Sequence, residues 1–430
     1  MVKNDPRITR AWCMYDWANS VYSLVITSTI FPIYYSKMAV NAQGGDRVVF
    51  LGWELSNSVI FAYVLSASFL LAALLSPFLS SLADVGGQKR RFMAFFAYMG
   101  AISCAMLFFF EKGMVHYPIF FFSLATVGYS GSLVFYNAYL PEIATEDQYD
   151  RLSARGYALG YIGSVLLLVL NLLMILQPAW FGMSPGSSLP SRLSFLLVGL
   201  WWMGFGWYSL RGLPANVYNR PWPGRWLFSG LRELRLVWSH IRGLGHLRRY
   251  LLAFFFYSMG VQTVMYMAPI YGEKELRLPS EALIGTILIL QLVAIGGAWA
   301  FARMSERWGN VPALATMLLV WIGVCVGGYF VYTQWEFYAL AATVGVVMGG
   351  IQALSRSTYS KLIPPQTKDH ASFFSFYDLV EKLSIVGGTF AYGYIEYFTG
   401  SMRNSIFALA AFFVFGLLVL LRVKVRGGRG

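Results

Sequence analysis

Apolar runs of about twenty residues recur from one end of this chain to the other, the length a helix needs to cross about 30 Å of hydrocarbon. They lack the polar–apolar alternation over about ten residues that marks an outer-membrane strand. They predict an all-α membrane protein with spans at roughly 11–35, 54–80, 92–111, 115–140, 154–177, 192–211, 250–272, 281–303, 312–333, 336–360, 372–397 and 404–422. Composition agrees. Only 12% of the 430 residues are charged, 57% are hydrophobic and the mean hydropathy is +0.56, whereas a soluble domain carries about 25% charged residues to cover its wet surface.

Twelve spans put both termini on one side. With these boundaries that side holds roughly 24 of the 33 Lys and Arg and the opposite side about 7, with Arg356 and Lys382 inside spans. The positive-inside rule then places the termini in the cytoplasm, and the net charge of +13 reflects this bias rather than nucleic acid binding. Cys13, Cys104 and Cys325 are far apart in apolar runs, so neither a disulfide framework nor a metal site is expected. The first ten residues are polar and the first apolar run is too long for a signal-peptide core, so no cleaved leader is expected. No phosphate-binding Gly-x-x-x-x-Gly-Lys-Ser/Thr loop occurs, and no nucleophile–base spacing suggests an enzyme. No cofactor is expected.

The longest loop, 212–249, divides the chain into an N-terminal six-helix bundle (1–211), a cytoplasmic linker (212–249) and a C-terminal six-helix bundle (250–430). Within the linker Leu227, Leu231, Leu234, Trp238, Ile241 and Leu244 recur at helical spacing, with Arg225, Arg232, Arg235, Arg242, Arg248 and Arg249 between or beyond them. That pattern suits an amphipathic helix at the membrane interface, acting as a basic tether between the halves or as a lipid sensor.

The halves repeat. Phe31-Pro32-Ile33-Tyr34-Tyr35-Ser36-Lys37 ends span one and Ala268-Pro269-Ile270-Tyr271-Gly272-Glu273-Lys274 ends span seven, with four of seven positions identical. After span two Asp84 stands three residues before Gly87, and after span eight Glu306 stands three before Gly309. Leu140-Pro141 and Ile363-Pro364 end spans four and ten. The offsets are 237, 222 and 223, and the drop fits a longer first outer loop, about 38–53, than its counterpart at about 275–280. Two similar halves suit a rocking transporter with its site between them.

The stretch Ser80 to Arg91 resembles the loop motif of the major facilitator superfamily, Gly-x-x-x-Asp-x-x-Gly-Arg-Lys/Arg, with Ser80 for the first glycine, Gln88 for the arginine, and Asp84, Gly87, Lys89 and Arg90 retained. The resemblance implies that Asp84 braces the inward-closed state. More narrowly, Tyr15-Asp16-Trp17-Ala18-Asn19-Ser20, Gly156 to Gly163, Gly349 to Ser357, and Phe373-Phe374-Ser375-Phe376-Tyr377 followed by Lys382 resemble the vacuole-effluxer-like family. Its fungal members export amino acids from the vacuole during autophagy. Family members usually carry an aspartate before the glycine of span seven. Here that position is Met259.

Charges inside a span cost several kcal/mol, about 2.5–3.5 on insertion scales, and face a cavity or a partner. The spans contain Asp16, Arg356, Asp378, Glu381 and Lys382, read here as one coupling network. Asp378 and Lys382, four apart, share a helix face. Three acids against two bases leave one negative charge, and a carboxylate half out of water takes up a proton more readily. Asp16 and Glu381 are the candidates. In the superfamily spans one, four, seven and ten line the path, which nominates Asn19, Tyr22, Tyr129, Tyr136, Asn137, Tyr257, Gln262, Tyr266, Gln352 and Ser355. Asp84, Gly87, Lys89, Arg90 and Glu306 are the candidate cytoplasmic gate. Gly156, Gly160 and Gly163 are read as helix-packing positions.

The expected function is secondary transport of a small polar solute, an amino acid or similar, coupled to protons. The expected setting is a monomer among lipids in a bacterial inner membrane. A lipid or amphiphile flippase and a non-transporting sensor on a carrier fold are the alternatives.

Overall fold

A computed structural model of the chain describes residues 2–215, 218, 226–399 and 401–425. Helix α1 (Pro6–Val21) passes through a π-helical turn (Tyr22–Thr27) into α2 (Ile30–Met38). Then come α3 (Asn57–Val85), α4 (Lys89–Met106), α5 (His116–Ile143), α6 (Tyr149–Leu176) and α7 (Leu189–Gly212). After α8 (Trp226–Gly243) follow α9 (Gly245–Lys274), α10 (Ser280–Trp308), α11 (Asn310–Tyr329), α12 (Gln334–Leu362), α13 (His370–Thr399) and α14 (Met402–Leu420). Among the described residues ten helices are long and apolar enough to cross a membrane. The expected first and eleventh spans are not among the ten: the first is broken, and α13 carries Asp378, Glu381, Lys382 and Glu396.

The first span, expected as one helix over 11–35, breaks because its middle competes with its own backbone. Ser28 Oγ donates to Ser23 O (2.8 Å) and Thr29 Oγ1 to Leu24 O, both five residues back, the reach of a π-turn. Pro32 then brings no N–H for the carbonyl of Ser28. The first outer loop, expected at about 38–53, contains a hairpin. Strand β1 (Arg47–Phe50) pairs antiparallel with β2 (Trp53–Ser56), displacing the expected start of span two. Leu51 and Gly52 turn the hairpin with φ of 50° and 87°, the double left-handed conformation of a tight two-residue turn.

Helix packing repeats between the halves. Helix α1 lies on α6 as α9 lies on α13, α3 on α5 as α10 on α12, and α4 on α7 as α11 on α14. Across the middle, α6 packs on α10 and α12, and reciprocally α13 packs on α3 and α5. Large apolar side chains such as Leu74, Phe95, Trp207, Leu319 and Phe415 stand exposed on the outside, as they do where hydrocarbon replaces water. Helix α8 forms in the expected linker and packs on α3, α9 and α13. It buries Val237 and Ile241 and stacks Trp238 on Phe376 at 5.4 Å. Of its expected pattern, Arg225 and the side chains of Leu227, Leu231 and Leu234 lie outside the described residues. The end of the bundle bearing α8 is called the α8 end below, and the opposite one the far end.

Candidate functional site

Arg356 is the centre of the site. It stands on α12 of the second half, yet its side chain is buried among residues of the first. Both Nη atoms lie 3.2 Å from Asp16 Oδ2, Nε donates to Ser153 Oγ (2.9 Å), Nη2 to Ser153 O (2.9 Å), and Nη1 to Asn137 Oδ1 (3.3 Å). A guanidinium has five N–H donors, and these bonds engage them all. The rings of Trp12, Tyr136 and Tyr157 flank the cation at 4.7, 5.3 and 4.3 Å, a cation–π box. Tyr136 Oη also donates to Asp16 Oδ2 (2.7 Å). The close approach depends on Gly156. A Cβ there would lie 3.1 Å from Arg356 Nη2 and 3.2 Å from Tyr136 Oη, and closer still to Asp16. Gly160 and Gly163 likewise let α6 lie against α1, where a Cβ would come within 3.2 Å of Asp16 O and 3.0 Å of Trp17 O, so packing is the role observed.

The five in-span charges form two groups rather than the expected single network. Asp16 and Arg356 pair across the halves. Asp378, Glu381 and Lys382 form a triad on α13, with Lys382 Nζ 3.3 Å from Asp378 Oδ1 and 3.6 Å from Glu381 Oε2. Gln262 on α9 donates to Glu381 Oε1 (2.9 Å), and Phe69 of the first half faces Lys382 at 5.2 Å. Asp378 and Lys382, four apart on α13, satisfy each other locally, while Arg356 finds its acceptors on the first half. The surplus negative charge thus belongs to the triad, where Asp378 Oδ2 finds no hydrogen-bond partner among the described residues. Met259, in the position of the family's aspartate, packs on α13. A Cβ at Gly387 would lie 3.1 Å from its methyl.

The expected path-lining residues divide as well. Tyr129 packs on Tyr22 at 4.9 Å, and Tyr266 is half-buried on α9. Gln352 accepts from Tyr161 across the halves (2.5 Å). Asn19 is buried beside Ser20, with its Nδ2 unpartnered among the described residues. Tyr136 and Asn137 belong to the Arg356 pocket. Tyr257 and Ser355 bond each other (2.8 Å), and Tyr250 bonds both. Tyr22 is a correction. Its hydroxyl pairs with Thr126 Oγ1 at 2.7 Å and its ring packs on Tyr129 and Trp202, so it belongs to the core of the first half.

At the α8 end the halves are sealed twice. Asp84 reaches from α3 to the start of α13, where Oδ2 accepts from Ser372 N (2.7 Å) and Oδ1 from Ala371 N (3.3 Å). A carboxylate at a helix N-terminus satisfies unpaired amides and meets the positive end of the helix dipole. Lys89 lies 3.6 Å from Asp84 and pairs with Glu142 at the end of α5. Gly87 turns the chain between α3 and α4 at φ 62°. Arg90 does not join this group; it donates to Leu213 O (3.0 Å) at the end of α7. The second seal is built on Asp150 of α6, which accepts from Ser305 Oγ (2.9 Å), Asn310 Nδ2 (2.8 Å) and Lys361 Nζ (2.7 Å) of the other half. Among the described residues Glu306, expected to mirror Asp84, makes only an exposed 3.9 Å contact with Arg151. Trp12, Glu142, Asp150, Ser153, Tyr157, Tyr161 and Lys361 are the residues that sequence reasoning missed.

Comparison with known proteins fits this geometry. Residues 4–430 match the family described as "Vacuole effluxer Atg22 like". A Bacillus subtilis protein named as the uncharacterized MFS-type transporter YxiO is 32% identical over 98% of this chain and 95% of its own. Autophagy-related protein 22-1 of Phaeosphaeria nodorum is 24% identical over 98% of this chain and 91% of its own. Among solved structures, the major facilitator proton:xylose symporter XylE superposes with a TM-score of 0.74 at 13% identity, covering 98% of this chain and 96% of that one. The family match over nearly the whole chain and the shared fold agree, and the chain belongs to the Atg22-like vacuole effluxer family of multi-pass major facilitator transporters.

Proposed function

We propose that this protein is a secondary active carrier that moves a small polar solute, an amino acid or similar, by alternating access and with protons as the coupling ion. It resides in a bacterial plasma membrane with both termini, and so the α8 end, in the cytoplasm. The observation that carries the reading is the Arg356 pocket. A cation of one half, fully engaged by acceptors of the other, can be held only while the halves are closed at the α8 end, so its release and that closure are one event. Residues 1–211 and 250–430 rock as two bodies, and 212–249 tethers them.

The solute arrives from the far end and binds between Asn19 and Tyr129 of the first half and Gln262, Glu381 and Lys382 of the second. An amino acid brings an ammonium and a carboxylate, which can exchange for the contacts Glu381 and Lys382 make with each other. The triad holds one more negative charge than positive, so a proton can enter with the solute and leave the group neutral. A proton on Asp16 would free Arg356, and the seals of Asp84 and Asp150 would part with it.

A thermal-shift screen of purified protein at two pH values against amino acids, peptides, sugars and lysolipids would choose the solute. Counterflow of that solute in proteoliposomes would then test the function. Exchange that saturates and needs the protein supports a carrier. Stabilisation by lysolipids alone, with no counterflow of any polar solute, would replace this reading with a flippase.

A further inference from the structure

At the far end of the first half, Phe31, Phe61 and Phe122 pack on one another. Their centroids lie 4.9 Å (Phe31–Phe122), 5.1 Å (Phe61–Phe122) and 6.1 Å (Phe31–Phe61) apart. The repeat offsets of 237, 222 and 223 carry these positions to Ala268, Leu283 and Gly345. Three rings become a methyl, a leucine and no side chain. Ala268 and Leu283 line a cavity of about 120 Å³ in the second half, with Met265, Phe337, Val344 and Leu409 among others, whereas the missing side chain of Gly345 lets α12 lie against α10, where a Cβ would come within 2.6 Å of Leu290 O.

The cavity is apolar, and its few polar neighbours are engaged elsewhere. Thr286 Oγ1 donates to Ala282 O (2.8 Å), Tyr271 Oη to Gly328 O (3.0 Å) and Tyr392 Oη to Met402 O (3.2 Å). With these hydroxyls engaged, the Met265 carbonyl, which Pro269 leaves without its helical N–H, is the strong acceptor that remains among the described lining residues, and a single partner does not hold a water. Protein interiors pack at crystal density, and an empty chamber leaves its walls without partner atoms. The α9 stretch along it, 264–270, is half-buried. In a bilayer the abundant molecule with matching chemistry is lipid hydrocarbon.

We propose that this cavity is a binding site for one hydrocarbon chain of a membrane lipid, which stands in for the missing rings and braces the far end of the second half. The site is independent of what the protein transports, so its test needs no substrate. The full chain is placed in nanodiscs containing phosphatidylcholine with a photoreactive diazirine in its acyl chain, and adducts are mapped by peptide mass spectrometry. Adducts are expected on the 264–271 stretch as well as on exposed faces such as Leu319 and Phe407, which are 59% and 57% exposed. In Ala268→Phe, which restores the ring of the first half, the cavity adducts fall to background while the exposed ones stay. Val344→Phe fills the cavity from the opposite wall and gives the same loss if Ala268→Phe fails to fold. As a second readout, stripping lipid lowers the thermal midpoint of the wild-type protein, and restoring lipid recovers it. The midpoint of the filled variant responds less to lipid than that of the wild type. Adducts confined to exposed faces, or undiminished in both variants, overturn the proposal. Displacement of the adducts by a free amino acid overturns it too and assigns the chamber to the transport path.

Discussion

Asp16→Asn tests the inter-half pair with little change of shape. The amide oxygen can still accept from Tyr136 or one Nη atom of Arg356, and Ser153, Asn137 and the three rings remain. What disappears is the charge, leaving a buried guanidinium without its counter-ion. Removing one partner of a buried pair costs about 3–5 kcal/mol, and the retained neighbours put this case near about 3. The pocket is complete only with the halves closed at the α8 end, so most of that cost falls on the closed state. With tenfold per about 1.4 kcal/mol, the balance should move toward opening by one to two orders of magnitude. Ala154 reports it. It is buried with Ala298, Ala302 and Ala353 where α6 meets α10 and α12. In a background lacking Cys13, Cys104 and Cys325, a thiol in Ala154→Cys should react with a maleimide roughly ten to a hundred times faster once Asp16→Asn is added. Asp16→Asn/Arg356→Met removes both charges and should regain thermal stability while labelling stays fast. A well-folded Asp16→Asn protein with an unchanged labelling rate would refute the claim that this pair holds the end shut.

Three further outcomes follow from the same geometry. Asp84→Asn keeps an acceptor for the α13 amides but loses its charge beside Lys89, so it should weaken closure by about 1 kcal/mol, read as a smaller rise in the same labelling rate. Glu381→Gln should abolish accumulation driven by a pH gradient in proteoliposomes, while solute-for-solute exchange persists but needs a higher solute concentration; full gradient-driven uptake would reduce the triad to a helix lock. Reporter fusions after Gly430 and within 180–190 should report opposite sides of the membrane, and agreement between them would contradict the span count.

Much of this was legible in the residues. Apolar runs located the helices, and the matching Pro-Ile-Tyr turns at 32–34 and 269–271 announced two related halves. Asp16 and Arg356 stood out because charge is costly in a span. What could not be read was partnership. Sequence spacing shows that Asp378 and Lys382 share a face, but only the fold shows that Arg356 crosses to the other half. The seal at Asp150 was missed for another reason. Hydropathy ends span four at 140 and starts span five at 154, which puts Glu142, Asp150 and Ser153 in a loop. Helices α5 and α6 run on past the apolar stretch, where Asp150 and Ser153 bond the opposite half and Glu142 is buried beside Lys89. Hydropathy marks where hydrocarbon ends and is blind to burial by protein beyond it. Tyr157 and Tyr161 carried a usable signal, since they alternate with Gly156 and Gly160 on the face of α6 turned toward the site.

The central claim is that closure alternates between the two ends, and distances across both ends measure it most directly. Spin labels at the exposed positions Asp147 and Gln366 span the α8 end, and labels at Lys37 and Glu273 span the far end. Electron–electron resonance in nanodiscs at two pH values, in wild type and in Asp16→Asn, is expected to show the α8-end distance lengthening as the far-end distance shortens, with Asp16→Asn favouring the long α8-end population. Distances that stay fixed at both ends under every condition, or that lengthen together, would contradict the account.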